Sequence, residues 1–258
     1  MNVNPAILPT FLLACMWFVL GSFFYTKHPR AAIAVGILLA IPCGAAIFFY
    51  THLLDRAVWY YQVRAMRGVE LAFSGVGFLG GAVQRWNAAE ERIGRMAVPA
   101  IFATILLIPF VKPIIKPIDL DALQDKCKGD VCLQSSGSTC GPAGAASILR
   151  SMGQNATEKE LAKASYTYSG GTEAWYLARA LRQRGVDTEF VINKTGLPAP
   201  SIAGVKMGGG HFIAILKVSD ASVTAVDPLS GEITATPEEL RARYDFTGFF
   251  LTVRDPRR

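Results

Sequence analysis

Two uncharged apolar stretches stand almost end to end: residues 5–25 (PAILPTFLLACMWFVLGSFFY) and 31–50 (AAIAVGILLAIPCGAAIFFY). Each has the roughly 20 residues that a helix needs to cross a hydrocarbon core. In lipid the backbone has to satisfy its own hydrogen bonds, so stretches of this kind are helices. They commit the first part of the chain to a helical membrane region. A third stretch, 96–111, is also uncharged, and it reaches Ile118 only by including Lys112 and Lys116, whose heads can snorkel to the interface. A fourth segment, 68–83 (GVELAFSGVGFLGGAV), is glycine-rich and holds Glu70. Its pattern fits an amphipathic or interfacial segment better than a span, with Glu70 as an interfacial carboxylate. Three spans are expected, with 68–83 as the candidate fourth.

Charge divides the chain at the same place. Up to Ile118 there are ten Lys/Arg and four Asp/Glu, and beyond it sixteen of each, so the whole net charge of +6 belongs to the apolar region. A nucleic-acid surface would put its basic excess on the folded domain, and nucleic acid is excluded as a partner. Charges flanking spans in a lipid bilayer account for the excess instead. The opening residues lack the basic start and small-residue cleavage site of a secretory signal, so the first span is read as a retained anchor. The 51–95 segment holds Arg56, Arg64, Arg67, Arg85, Arg92 and Arg95, whereas the 26–30 turn holds Lys27 and Arg30. The positive-inside rule then puts 51–95 in the cytoplasm and, with three spans, everything after the last span outside. Four spans would reverse this if the amino terminus stayed inside. The expected location is multi-pass in a bacterial inner (plasma) membrane.

Residues 1–118 are thus read as an all-α membrane region and 119–258 as one further domain. Within the latter, helices are predicted from Cys140 to Met152, from the capping box Thr157–Glu160 to about Ser165, and over 173–184, ended by Gly185. Thr236–Pro237–Glu238–Glu239 is another helix start. Strands are predicted at 188–193, 211–218, 222–227, 231–236 and 248–253. Helices first and an antiparallel sheet after them make an α+β domain.

The run LQSSGSTCGPAGAASIL (133–149) sets Cys140 at the start of a small-residue helix. A thiolate is favoured beside the unpaired N–H groups there. A disulfide and a small packing residue are the other fates open to it. His211, the one histidine beyond residue 118, opens a strand after Gly208–Gly210, and glycines let backbone or ligand approach closely. Asp227 ends the next strand; if the two strands pair as a hairpin, it can orient the His211 ring. Gln134, six residues before Cys140, is a solvated loop residue or an oxyanion donor. A metal site built from Cys127, Cys132, Cys140 and His211 is disfavoured, because the spacings match no zinc finger. No cofactor or metal is expected.

These motifs together resemble the double-glycine leader peptidases, bacteriocin-processing cysteine peptidases of papain-like fold. The resemblance runs over nearly all of 127–253: Gln134 six residues before Cys140, the CGPAGAASIL helix, Gly210–His211–Phe212, Asp227–Pro228, the Gly171–Thr172 turn and the late FTGFFL strand. It implies Cys140 as nucleophile, His211 as general base and acid, Asp227 as its orienter and Gln134 as oxyanion donor. Cleavage after small residues such as Gly-Gly would follow. Thr139 stands where the family often has aspartate. The membrane region comes first, and no G-x-x-x-x-G-K-[ST] loop is present, so any transporter or secretion partner would be a separate protein. A membrane-anchored thiol peptidase acting on a peptide or protein near the membrane is the expectation. A non-catalytic peptide-binding or assembly module, and acyl transfer or ligation by the same thiol, are the alternatives. Cys127 and Cys132 are expected to pair if the domain lies outside.

Overall fold

The computed structural model describes residues 3–49, 57–90, 96–193 and 195–256; Arg56, Arg92 and Arg95 of the charge argument lie outside them. The chain divides into two units, Val3–Asp55 with Arg67–Ile114, and Arg56–Met66 with Ile115–Arg258.

The membrane unit is all helix. It contains α1 (Ile7–Lys27) and α2 (Pro29–Phe48); α3 (Val58–Arg64) belongs to the other unit. A 3-10 stretch Val69–Gly75 leads into α4 (Val76–Glu90), and α5 (Ala97–Leu107) continues through a short 3-10 turn into α6 (Val111–Ile115). Three helical lengths, Ile7–Lys27, Pro29–Phe48 and Ala97–Ile115, are long and apolar enough to cross a membrane. The glycine-rich segment is not laid out as an amphipathic surface helix. Gly77 and Gly81 of α4 lie so close to α1 that an added Cβ would collide with the carbonyls of Ala14 and Phe18. Gly75 meets the Leu39 carbonyl of α2 in the same way. Small residues that let helix backbones touch are the usual means of association in lipid. Glu70 is 1% exposed and accepts a hydrogen bond from Asn4 Nδ2 at 3.2 Å, so it is a buried group of this unit.

The second unit is α+β and papain-like in arrangement, helices first and an antiparallel sheet after them. A hairpin of β1 (Lys126–Lys128) and β2 (Val131–Leu133) is closed by a Cys127–Cys132 disulfide. Then come α7 (Cys140–Ser151), α8 (Glu158–Ala164) and α9 (Ala174–Gln183). Strands β3 (Asp187–Ile192), β4 (Ser201–Val205), β5 (His211–Val218), β6 (Val223–Asp227), β7 (Gly231–Ala235) and β8 (Phe246–Arg254) form one antiparallel sheet in the order β3-β8-β4-β5-β6-β7, with α10 (Pro237–Arg243) before the last strand. Capping boxes open α8 at Thr157 and α10 at Thr236.

Strand β4 was not expected. It is five residues long and directly preceded by Pro198–Ala199–Pro200, yet every residue in it is buried. Its neighbours β5 and β8 cover both edges. The small face of α7 explains how this helix lies against the sheet: an added Cβ at Gly144 would sit 3.4 Å from Ile202 and 3.7 Å from Ala214. The other sheet face packs Val205, Ile213, Ile215, Val223, Leu240, Tyr244 and Phe250 into a core.

Candidate active site

Cys140 is the first residue of α7, after Thr139. The preceding loop is braced within itself. Thr139 Oγ1 accepts from the Ser136 N–H at 3.2 Å and donates to the Ser136 carbonyl at 3.0 Å. This short hydroxyl brace holds the loop where the related family often has aspartate. An added Cβ at Gly141 would sit 3.3 Å from the Leu177 side chain, so a side chain after the cysteine would fit only if Leu177 gave way. Cys140 is 8% exposed and is a free thiol. Its rival fate, a bond to Cys132, is closed because Cys132 is joined to Cys127. That bond also removes two of the four ligands a metal site would need. Cys132 is held against α7 through its N–H, which donates to the buried Ser147 hydroxyl at 2.9 Å.

His211 is the first residue of β5 and Asp227 the last of β6. In this antiparallel pair Ala214 faces Val226, so Ile213 stands about opposite Asp227 and His211 lies two residues further along the same face. The side chains close that diagonal: His211 Nε2 and Asp227 Oδ1 are 2.9 Å apart, both buried. With Nε2 engaged, Nδ1 is the ring atom left for a thiol, and Cys140 lies near enough to help raise the ring's pKa. Gly208, Gly209 and Gly210 all have positive φ (54°, 95° and 111°), a conformation that explains glycine at each, and nothing lies within 4 Å of a Cβ built on any of them. They form an open, exposed approach to the ring.

The electrostatics follow from these contacts. Burial pushes the His211 imidazolium down, but its hydrogen bonds to Asp227 and Cys140 more than offset that and raise its pKa to about 9. For Asp227 burial acts upward, yet the bonds from His211, the Leu229 N–H (2.9 Å) and the Tyr244 hydroxyl (2.7 Å) hold its carboxyl well below the usual range. Tyr244 in turn is pushed up to about 12 by burial and by its bond to the carboxylate. The Asp227 carboxylate thus favours the protonated form of the His211 ring bonded to it.

Gln134 is tied to the same turn, its N–H donating to the Pro228 carbonyl at 2.8 Å. Its side chain Nε2 donates to the Ser136 carbonyl at 2.7 Å. An amide nitrogen has two N–H groups, so one remains available. The structure therefore pairs His211 with Asp227, sets Cys140 at the start of α7 and fixes Gln134 on the loop leading to the cysteine.

Sequence reasoning did not find Tyr244 or Glu158, which accepts two hydrogen bonds from Ser135. Tyr244 follows α10 as a lone tyrosine with no spacing that points to Asp227. Glu158 was visible only as part of a capping box.

A family model of the Peptidase C39 family matches residues 128–257. The chain belongs to that family. Its relatives include an uncharacterized protein of Methanothermobacter thermautotrophicus, 36% identical over 132 residues, covering 49% of this chain and 89% of that one. Another, from Methanothermobacter marburgensis, is 37% identical over 127 residues, covering 46% and 84%. Among solved structures, the peptidase domain of Streptococcus ComA, a bi-functional ABC transporter involved in quorum sensing, is similar at 22% identity and a TM-score of 0.41, covering 47% of this chain and 95% of that one. A double glycine motif protease from an AMS/PCAT transporter, in complex with the leader peptide, is similar at 21% identity and a TM-score of 0.42, covering 48% and 90%. As a C39 member, this chain joins a cysteine-peptidase fold to helices of membrane-spanning length and lacks the nucleotide loop of a transporter body.

Proposed function

We propose that the chain is a membrane-anchored cysteine peptidase whose peptidase domain occupies residues 119–258. The observation that carries this is the buried His211–Asp227 pair, 2.9 Å apart, in a domain whose free, buried Cys140 opens α7. Cys140 Sγ attacks a peptide carbonyl carbon, and the electron pair of the C=O moves to oxygen. The Cys140 N–H and the spare Gln134 N–H receive that oxyanion. His211 gives its proton to the leaving amine as the C–N bond breaks. Neutral His211 then takes a proton from water, which attacks the thioester and frees the acid and the thiol. The open glycine approach suits small residues at the scissile bond, in keeping with a Gly-Gly motif. The test is a peptide-library digest by the full chain in detergent, with Cys140→Ala as control. Cleavage by the wild type alone, enriched after small residues, is expected. No difference between the two proteins would instead favour a binding module, and amine adducts without hydrolysis would favour ligation.

Two further features support a reading of the side of the membrane. Asn4 bonds to Glu70, and the Ser22 hydroxyl donates to the Gly81 carbonyl at 3.0 Å, so α1 and α4 run parallel. Gly36 meets Leu79 while Gly75 meets Leu39, so α2 runs against α4. Phe110 packs on Phe73 (6.1 Å between rings) and Phe102 on Gly80, so α5 also runs against α4. Two spans that run the same way, α2 and α5, need a return crossing between them. We therefore read 69–90 as that crossing, giving four in all, with the amino terminus and the peptidase domain on one side. By sequence position this leaves Lys27, Arg30, Arg92 and Arg95 in the far-side segments, Arg56, Arg64, Arg67, Lys112 and Lys116 in the near-side ones, and Arg85 within the crossing. So nearly even a split gives the charge rule little to choose by, and the Cys127–Cys132 disulfide supports the oxidising, extracytoplasmic side. A membrane-impermeant maleimide on intact cells checks this, in a background with Cys15, Cys43 and Cys140 changed to alanine. Glu238→Cys should label directly and His28→Cys only after permeabilisation. Labelling of both from one side would restore an odd number of crossings.

A further inference from the structure

We propose that Glu158 is a positioning residue for the reaction, acting through Ser135 on Gln134; the inference rests on the peptidase reading above. Glu158 is wholly buried, at 0% exposure, though it opens a helix and belongs to none of the motifs around the cysteine. A buried carboxylate is costly unless hydrogen bonds satisfy it. Both of its oxygens are used on a single residue: Oε1 accepts from the Ser135 N–H at 2.7 Å and Oε2 from the Ser135 hydroxyl at 2.5 Å. The Ser135 hydroxyl oxygen accepts in turn from the Gln124 N–H at 3.0 Å. That N–H takes one of the hydroxyl's two lone pairs, and because an ionised carboxylate can only accept, the hydroxyl proton points at Glu158. Both Glu158 oxygens therefore act as acceptors.

Consecutive residues of the loop are therefore pinned from different directions. Gln134 is held to Pro228, next to Asp227; Ser135 to Glu158; and Ser136 to Thr139, next to Cys140. The Gln134 carboxamide leans on this same backbone through the Ser136 carbonyl. Its distance from the developing oxyanion is then set by where Ser135 sits. Glu158→Gln removes the charge and replaces one acceptor by an NH2 group, so Ser135 either loses its N–H bond or has to turn its hydroxyl proton away. Two charge-assisted bonds become weaker neutral ones that let Ser135 shift. A displacement of about 1 Å at such a donor costs on the order of 10²-fold in rate.

The test separates oxyanion stabilisation from thiol reactivity. In the full chain with Cys15→Ala and Cys43→Ala, Cys140 is acylated by p-nitrophenyl acetate: the S–C bond forms, the ester C–O bond breaks, p-nitrophenolate leaves with the electron pair, and the thiol proton stays on His211. Alkylation by iodoacetamide forms an S–C bond and expels iodide with no oxyanion. Glu158→Gln should slow acylation roughly tenfold to hundredfold and leave alkylation within about twofold of the parent. In a Gln134→Ala background it should cost nothing further, since residues acting through one another are non-additive. Ser135→Ala, which keeps the N–H bond, should show a smaller version of the same pattern. The proposal is overturned by unchanged acylation in Glu158→Gln, by equal loss in both reactions, or by additive losses with Gln134→Ala. No Cys140-dependent acylation in the parent would sink the peptidase reading and this one with it.

Discussion

Alanine at His211 should lower Cys140-dependent cleavage by at least roughly 10³-fold, since removing the base of such a unit removes nearly all of its catalysis. The fall should appear in kcat, with KM little changed, because the ring acts on the sulfur and the leaving amine. His211→Ala should also slow iodoacetamide alkylation of Cys140, measured by mass spectrometry. Alkylation at the parent rate would mean that the thiolate owes nothing to the imidazolium. The geometry argues otherwise: the ring is clamped by Asp227 at 2.9 Å, and Asp227 by Tyr244 at 2.7 Å.

The same clamp fixes the pH dependence. Wild-type cleavage should decline as pH rises through about 9, where His211 loses the proton that it gives to the leaving amine. Asp227→Asn should move that limb to lower pH, because the Asp227 bond is the first of the contacts that raise His211 against its burial. The fold is stabilised by the same charges. The folded His211 value lies above its ordinary 6.5, so its contribution is complete below 6.5 and is lost as pH rises through about 9. Asp227 is depressed from 3.8, so its contribution is present above that value and is lost as pH falls toward its folded one. Thermal melts between those limits should be the highest, and Asp227→Asn should flatten both flanks.

What the sequence disclosed depended on whether a residue's role is local. Cys140, His211 and Asp227 stand at a helix start, a strand start and a strand end, and adjacent antiparallel strands bring the last two together with no long-range folding information. Tyr244 and Glu158 reach the site across 17 and 23 residues of chain from Asp227 and Ser135, and no periodicity marks them. Strand β4 was hidden because two prolines run directly into five residues that bear no alternation. In 68–83 glycine lowered the apolarity and suggested an interfacial segment. The same glycines are what allow α4 to touch the backbones of α1 and α2. Least legible was α3, seven residues between membrane helices that fold with the peptidase domain.

That segment makes Trp175→Ala the substitution expected to destabilise the domain most. Trp175 is 1% exposed at the start of α9. Tyr60 meets its ring edge-on at 6.0 Å, Tyr61 lies at 6.0 Å, and the Arg64 guanidinium sits 4.4 Å over its face. Tyr61 reaches on to Phe190 of β3 and Phe249 of β8, at 5.3 and 5.0 Å. Arg179 and Arg182 of α9 donate to the carbonyls of Arg64 and Ala65, two of the acceptors a helix leaves unpaired at its end. One indole thus sits at the centre of the aromatic and cation contacts that join α3 to α9. Truncating a buried tryptophan to alanine costs about 3–5 kcal/mol, a large part of the roughly 5–15 kcal/mol by which a domain is stable. Thermal unfolding in detergent should show the loss, and limited proteolysis should show 57–66 cut before the rest of the domain. Trp175→Phe keeps an aromatic face for Arg64 and should recover most of the stability. If the two variants melt alike, packing volume and not the cation–ring contact holds α3. If neither exposes 57–66, the arginine caps on its last carbonyls suffice, because Arg179 and Arg182 hold the helix end without the indole.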